Sequence, residues 1–288
     1  MRTNTEISMA ASSDAVSGQL ATQSPVRIGL ALGGGFARGI AHVGVLKILE
    51  QHHIPIHCIA GISAGAVVAA AYASGASPDA IARAGCSMRF GDVARLSFGR
   101  LGIVSSQRMN CFLERLLETH QFEEMPIPLG VVATDLSSGD PVSFAGTGSV
   151  IEPVRASCAY PGLFEPVIHN GQYLVDGAIS MGVPAELARQ LGATHVISVT
   201  LPAAVPSTLP SNMFQVLTRC FQIMQRRSVG GWHMETDLEI APDVRGVEWN
   251  SFDCGPHLIE AGEAAALSSI PRIREWLSDG LRRDLAAA

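Results

Sequence analysis

Gly61-Ile62-Ser63-Ala64-Gly65 places a serine between two glycines at GxSxG spacing, the sharp strand-to-helix turn that lifts a nucleophilic hydroxyl clear of a sheet. Gly61 and Gly65 suit such a turn because a side chain at either position would strike the adjacent chain. In a chain with 29 glycines the pattern alone says little, so its placement decides. An apolar run, Ile56 to Ala60, precedes it as a predicted strand. An Ala/Val-rich run to about Ser74 follows as a predicted helix. The chemistry this supports is attack of a serine oxygen on an acyl carbonyl.

A second glycine cluster, Gly33-Gly34-Gly35-Phe36-Ala37-Arg38-Gly39, lies between a predicted strand (Val26 to Leu32) and a predicted helix (about Gly39 to Gln51). Successive backbone N–H groups at a helix N-terminus bind anions, and in an acyl hydrolase the anion is the oxygen of the tetrahedral intermediate. Arg38 adds positive charge there, or anchors the loop by pairing with an acid. A dinucleotide site fits poorly, since the GxGxxG spacing fails at Arg38 and histidines (His52, His53, His57) stand where a ribose-binding acid belongs. A Walker loop is absent. Asp176-Gly177, after the apolar Tyr173-Leu174-Val175, puts a carboxylate at a strand's carboxyl end, and Gly177 lets the serine approach. An ordinary Asp-Gly turn is the bland alternative. A Ser-Asp-His triad through His195 is the competing mechanism, although His195 opens an apolar strand and does not sit on a loop.

The elements that must hold these groups alternate β and α. Further helices are predicted at 107–120, 150–158, 184–190, 212–227 and 257–277, and further strands at 129–135, 141–144, 172–175, 195–200 and 237–241. That succession predicts an α/β fold with a mostly parallel central sheet, whose carboxyl edge carries both glycine turns. Residues 1–25 are polar and lack the apolar core of a secretory signal, so they read as a disordered tail. Residues 26–200 form the expected catalytic core, and 201–288 are expected to complete the same domain.

Composition narrows the function classes. Formal net charge is -6 and no basic tract is present, which argues against nucleic acid. The six cysteines form no CxxC pair and no zinc-like spacing with histidine, so they read as small buried residues in a reducing, cytoplasmic setting, with no metal or cofactor indicated. The stretch from Ile54 to Pro78 has no charged residue, but its glycines and Pro55 make it a buried strand, turn and helix, not a span.

Taken together, LGGGFARGIAHVGVLKILE, GISAG, ATDLSSGDPV, ASCAYPGLFEPV and LVDGAIS, in this order, resemble the blocks of the patatin-like phospholipases, and HLIEAGEAAA resembles the closing helix of the compact bacterial members. The resemblance runs from about Val26 to Ala266. It implies a patatin-like three-layer α/β sandwich and a Ser-Asp dyad. In that dyad Ser63 attacks a lipid or other acyl ester, Asp176 takes its proton, and the amides of Gly34 to Phe36 hold the oxyanion. Leu32 stands where plant members have Asp, and Phe36 is bulkier than the usual residue, which narrows the mouth. Phospholipase A, lysophospholipase or esterase activity is the leading expectation. An acyltransferase and a catalytically silent regulatory protein on the same fold are the alternatives. The segment from Arg83 to Arg108 carries five arginines against one acid among apolar residues, and is either a cap that meets an anionic membrane surface or a solvated connector.

Overall fold

The computed structural model describes residues 25–97, 101–202, 209–227 and 231–287. The proposed N-terminal tail, apart from Pro25, lies outside them. In chain order the elements are β1 (Ile28–Leu32), α1 (Ala41–Gln51), β2 (Ile56–Ile62), α2 (Ala64–Ala73), α3 (Pro78–Ser87), α4 (Phe90–Val93), β3 (Arg95–Leu96) and β4 (Val104–Ser105). Next come α5 (Arg108–Leu116), β5 (Leu129–Asp135), β6 (Pro141–Ala145), α6 (Ile151–Ser157), β7 (Val167–His169) and β8 (Gln172–Asp176). The chain closes with α7 (Ala185–Gln190), β9 (His195–Val199), α8 (Met213–Arg227), β10 (Leu238–Ile240) and α9 (Gly255–Ala287).

Three layers result. The strands β10, β9, β1, β2 and β5 are parallel neighbours in that order. On one face Ile28, Leu30, Leu32 and Ile59 join side chains of α1, α2, α6 and α9 in the larger core. The opposite face offers Ala31, Cys58, Ala60 and Ile62 to α7. Small residues there let the helix side approach closely: a Cβ at Gly29 would fall 2.6 Å from that of Ala193. α1 and α9 cross at glycines, since a Cβ on Gly44 would run into the Ile259 carbonyl and one on Gly262 into that of Ala41.

The carboxyl edge is built differently from a plain parallel sheet. β6 and β8 both run antiparallel to β5, and Ala133 pairs with Val142 of β6 and with Asp176 of β8. A residue has two edges, so β6 and β8 lie on opposite sides of β5. Val132 pairs with Ser143 of β6 and with Ile62 of β2. By the same logic β2 and β8 share one edge and meet end to end.

Asp176 is thus at the carboxyl end of its strand, as expected, but that strand descends toward β2 from beyond the sheet edge. α5 stops at Leu116, short of the expected residue 120, and α9 continues through Pro271 beyond the expected 277. α3, absent from the sequence reading, begins with a legible start signal: Ser77 accepts the Ala80 N–H at 3.3 Å and Pro78 occupies the first turn.

Candidate active site

β2 passes into α2 through Ser63, whose φ of 55° and ψ of -126° lie where an L-residue is strained. The turn closes only because Gly61 and Gly65 lack side chains: a Cβ on Gly61 would lie 2.5 Å from the Gly65 carbonyl, and one on Gly65 would strike that of Leu32. A buried relay holds the strain. The Ser63 N–H donates to Ser157 Oγ at 2.8 Å, and that hydroxyl donates in turn to the Val132 carbonyl. Ser157 is fully buried at the end of α6 and ties the elbow to β5.

Ser63 Oγ donates to Asp176 Oδ2 at 2.7 Å. The other carboxylate oxygen accepts the Ala178 N–H at 2.9 Å, and Thr134 Oγ1 donates to the Asp176 carbonyl at 3.0 Å. The first two bonds fix the plane of the carboxylate, and the third anchors its backbone. Burial raises its pKa to about 6, against the opposing pull of the hydrogen bonds from Ser63 and Ala178. A carboxylate so raised is a better base for a hydroxyl than one in water. Gly177 permits the approach, since a Cβ there would collide with the Val132 carbonyl.

The glycine loop faces the same point. The Gly33 N–H is taken by the Val199 carbonyl, Ala37 N–H by Trp249 and Arg38 N–H by Gly35. The N–H groups of Gly34, Gly35 and Phe36 have no acceptor among the described residues, and all three residues line the cavity that holds Ser63. A Cβ on Gly34 would sit 3.3 Å from that of Ser63. From behind, His42 Nε2 donates to the Gly33 carbonyl at 2.8 Å, the carbonyl fixing the tautomer. Complete burial lowers the His42 pKa to about 4, so the ring is neutral and serves to set the loop. Neither Ser157 nor His42 was singled out for the site by sequence reasoning.

Arg38 does not pair with an acid among the described residues. It is buried, donates Nε to the Gly35 carbonyl at 3.4 Å, and lines the cavity, so it braces the loop and leaves positive charge beside it. Phe36 has φ of 51° and packs edge-on to Tyr160 at 4.9 Å and Trp249 at 5.0 Å. Its ring borders two spaces that meet at Ser63. One, about 340 Å³, mixes polar groups (Arg38, Thr218, Gln222 and Glu239) with apolar walls that include Tyr160, Leu201, Trp232 and Trp249. The other, about 110 Å³, is almost wholly apolar, lined by side chains such as Val67, Ile81, Met109 and Phe112.

His195 does not join them. It stands at the amino end of β9, opposite Ile28, stacked near Trp276 at 4.8 Å, while the site lies beyond the other end of the strand, about 13 Å away at ~3.3 Å per residue. His233, unremarkable in the sequence, lines the larger cavity with its ring on Trp232 at 3.5 Å. The cysteines differ from expectation: Cys58 and Cys158 are buried, but Cys86, Cys111 and Cys220 are exposed. In the arginine-rich segment Arg95 is exposed and Arg108 donates to the Gly91 carbonyl at 2.8 Å; Arg100 lies outside the described residues. Among the described residues no helix is long and apolar enough to cross a membrane, and no three His, Cys, Asp or Glu converge to hold a metal.

A sequence model described as patatin-like phospholipase matches residues 30–189. An uncharacterized NTE family protein of Mycobacterium tuberculosis is 35% identical over 181 residues, covering 62% of this chain and 50% of that protein. A Mycosarcoma maydis protein named lysophospholipase NTE1 is 26% identical over 227 residues, 76% of this chain and 12% of its own. This chain therefore spans half or less of these relatives' length. Among solved structures, VipD from Legionella pneumophila superposes with a TM-score of 0.54 at 15% identity, over 89% of this chain and 68% of its own, a likeness of fold.

Proposed function

We propose that this chain, which belongs to the patatin-like phospholipase family, is a serine hydrolase of lipid acyl esters in which Ser63 is the nucleophile and Asp176 the base. The observation that carries the reading is the 2.7 Å hydrogen bond from Ser63 Oγ to a buried carboxylate, where a larger cavity of mixed lining meets a smaller apolar one.

The acyl chain enters the smaller, apolar space and the headgroup side of the ester occupies the larger one, beside Arg38 and Gln222. Ser63 Oγ attacks the carbonyl carbon while its proton passes to Asp176. The carbonyl oxygen becomes an oxyanion held by the N–H groups of Gly34, Gly35 and Phe36, a donor set in which each member is worth about 10² to 10³ in rate. Collapse expels the alcohol, which takes the proton from Asp176 and leaves an acyl-Ser63. A water molecule gives its proton to Asp176 and attacks that ester, and the fatty acid departs as Ser63 recovers its proton. Gly33 and Arg38 hold the loop, and the Arg38 charge suits an anionic headgroup. Residues 26–287 act as one catalytic unit, with β10 and α9 completing the sheet and core.

The small volume of the apolar space beside Ser63, about 110 Å³, and the name of the Mycosarcoma relative support a monoacyl phospholipid as the substrate class. The test is release of fatty acid from monoacyl and diacyl phosphatidylcholine by the parent, Ser63→Ala, Asp176→Asn and His195→Ala. Turnover of the monoacyl lipid by the parent and the His195 variant alone is expected. Undiminished release by Ser63→Ala would end the proposal.

A further inference from the structure

An amphipathic helix in a globular protein normally turns its apolar stripe inward. α8 does the reverse. Met213, Val216, Leu217, Ile223 and Met224 are exposed, Met213 by 78% and Met224 by 59%, and all five fall on one stripe at intervals of three, four and seven. Its inner side presents the polar Thr218 and Gln222 to the cavity of Ser63, and Phe221 meets Tyr160 at 5.5 Å between ring centres.

A second exposed apolar group adjoins the first. The β3–β4 hairpin holds out Leu96, 73% exposed, with Leu101 and Ile103. The segment 160–165 joins the two: Leu217 lies against Gly162, the Val104 N–H donates to Leu163, and Glu165 donates back to Val104. α8 thus borders the larger cavity of Ser63 through Thr218 and Gln222, and the hairpin lies beside the smaller one, Val104 pairing with Phe164 of its wall.

Charge identifies the occupant. Although the whole chain carries -6, no Asp or Glu occurs from Leu201 to Met234, where Arg219 stands, or from Val93 to Leu113, which holds the exposed Arg95 and Arg108; Glu165 of the joining segment is engaged by Ser97 Oγ at 3.1 Å. Apolar side chains on two elements that themselves carry arginines and no acids fit the boundary between headgroups and acyl chains of an anionic bilayer. A second copy of an acidic chain offers a poorer match.

We infer that the outer face of α8 and the β3–β4 hairpin together form the surface by which the protein docks on an anionic lipid bilayer, placing the Ser63 cavity over its substrate. The inference rests on the lipid-hydrolase reading for its purpose, but docking is measurable without turnover.

The full chain would be floated with vesicles of phosphatidylcholine alone or mixed with phosphatidylglycerol. The parent and Ser63→Ala are expected to float equally with the mixed vesicles, and added salt to weaken both. The pairs Met213→Asp with Met224→Asp, and Leu96→Asp with Leu101→Asp, should each weaken flotation by about tenfold. Turnover of a short soluble ester should stay within about twofold, as these are exposed positions. A parent that hydrolyses the short ester but does not float overturns docking and leaves the hydrolase standing; flotation without any ester turnover does the opposite. Light scattering that finds a parent dimer, split by the Asp pairs while flotation is unchanged, assigns the surface to a second copy and also overturns the inference.

Discussion

Ile62 and Asp176 occupy successive places along one edge of β5, Ile62 opposite Val132 and Asp176 opposite Ala133. The residue after Ile62 is Ser63, so the end-to-end meeting of β2 and β8 delivers the hydroxyl to the carboxylate. Backbone pairing, which is stiff, sets the 2.7 Å contact, and neither side chain has to be carried in by a loop.

Asp176→Asn should destroy turnover and strengthen the fold. The folded-state pKa of about 6 exceeds the ordinary 3.8, so the native protein binds this proton more tightly than the unfolded chain. The group then opposes folding fully above about pH 6, and the opposition fades as pH falls toward 4. Asparagine removes a penalty on the order of 3 kcal/mol at neutral pH. Melting at pH 7.5 should show a higher Tm for the variant, with the gap closing near pH 4; an equal gap at both would refute this origin.

The rate should follow one ascending limb. Asp176 must be ionised to accept the Ser63 proton, so kcat/KM is expected to rise through about pH 6 and then level off. His42, at about 4 and fully buried, contributes no limb in that range. Profiles of His195→Ala and His233→Ala should overlay the parent's midpoint; loss of the limb in either would make that histidine the base.

Ser157→Ala removes the acceptor of the Ser63 N–H and a donor to the Val132 carbonyl. Stability should fall by about 1–3 kcal/mol. A misplaced nucleophile should lower kcat by about 10² while KM changes little. A fall in Tm with kcat unaltered would reduce Ser157 to packing.

Val67 lines the apolar space beside Ser63. Val67→Phe should shift the preferred p-nitrophenyl ester toward shorter acyl chains, each methylene excluded being worth about 0.8 kcal/mol of lost binding. An unchanged chain-length profile would place the acyl group elsewhere.

Much of this site was legible because its signals are local. The GISAG turn needs only its own strand, helix and glycines, and the stretch around Gly33 to Gly35 betrays its amides by having no side chains. Other parts were hidden because they depend on partners far along the chain. Nothing in Gln172 to Asp176 states that β8 runs antiparallel, since that is set by pairing with β5. Ser157 looks like one more small residue near the end of a short helix until Ser63 and Val132 close upon it. His42 takes its role from the curl of the glycine loop back over α1. The inverted face of α8 escaped because periodicity gives a stripe but not the direction in which it points.

The central claim is that Ser63 is the nucleophile, and a fluorophosphonate probe tests it most directly. Intact-protein and peptide mass spectrometry of the labelled chain should find one adduct, on the peptide containing Ser63, with labelling lost in Ser63→Ala and strongly slowed in Asp176→Asn. An adduct on another residue, or undiminished labelling of Ser63→Ala, would contradict the account.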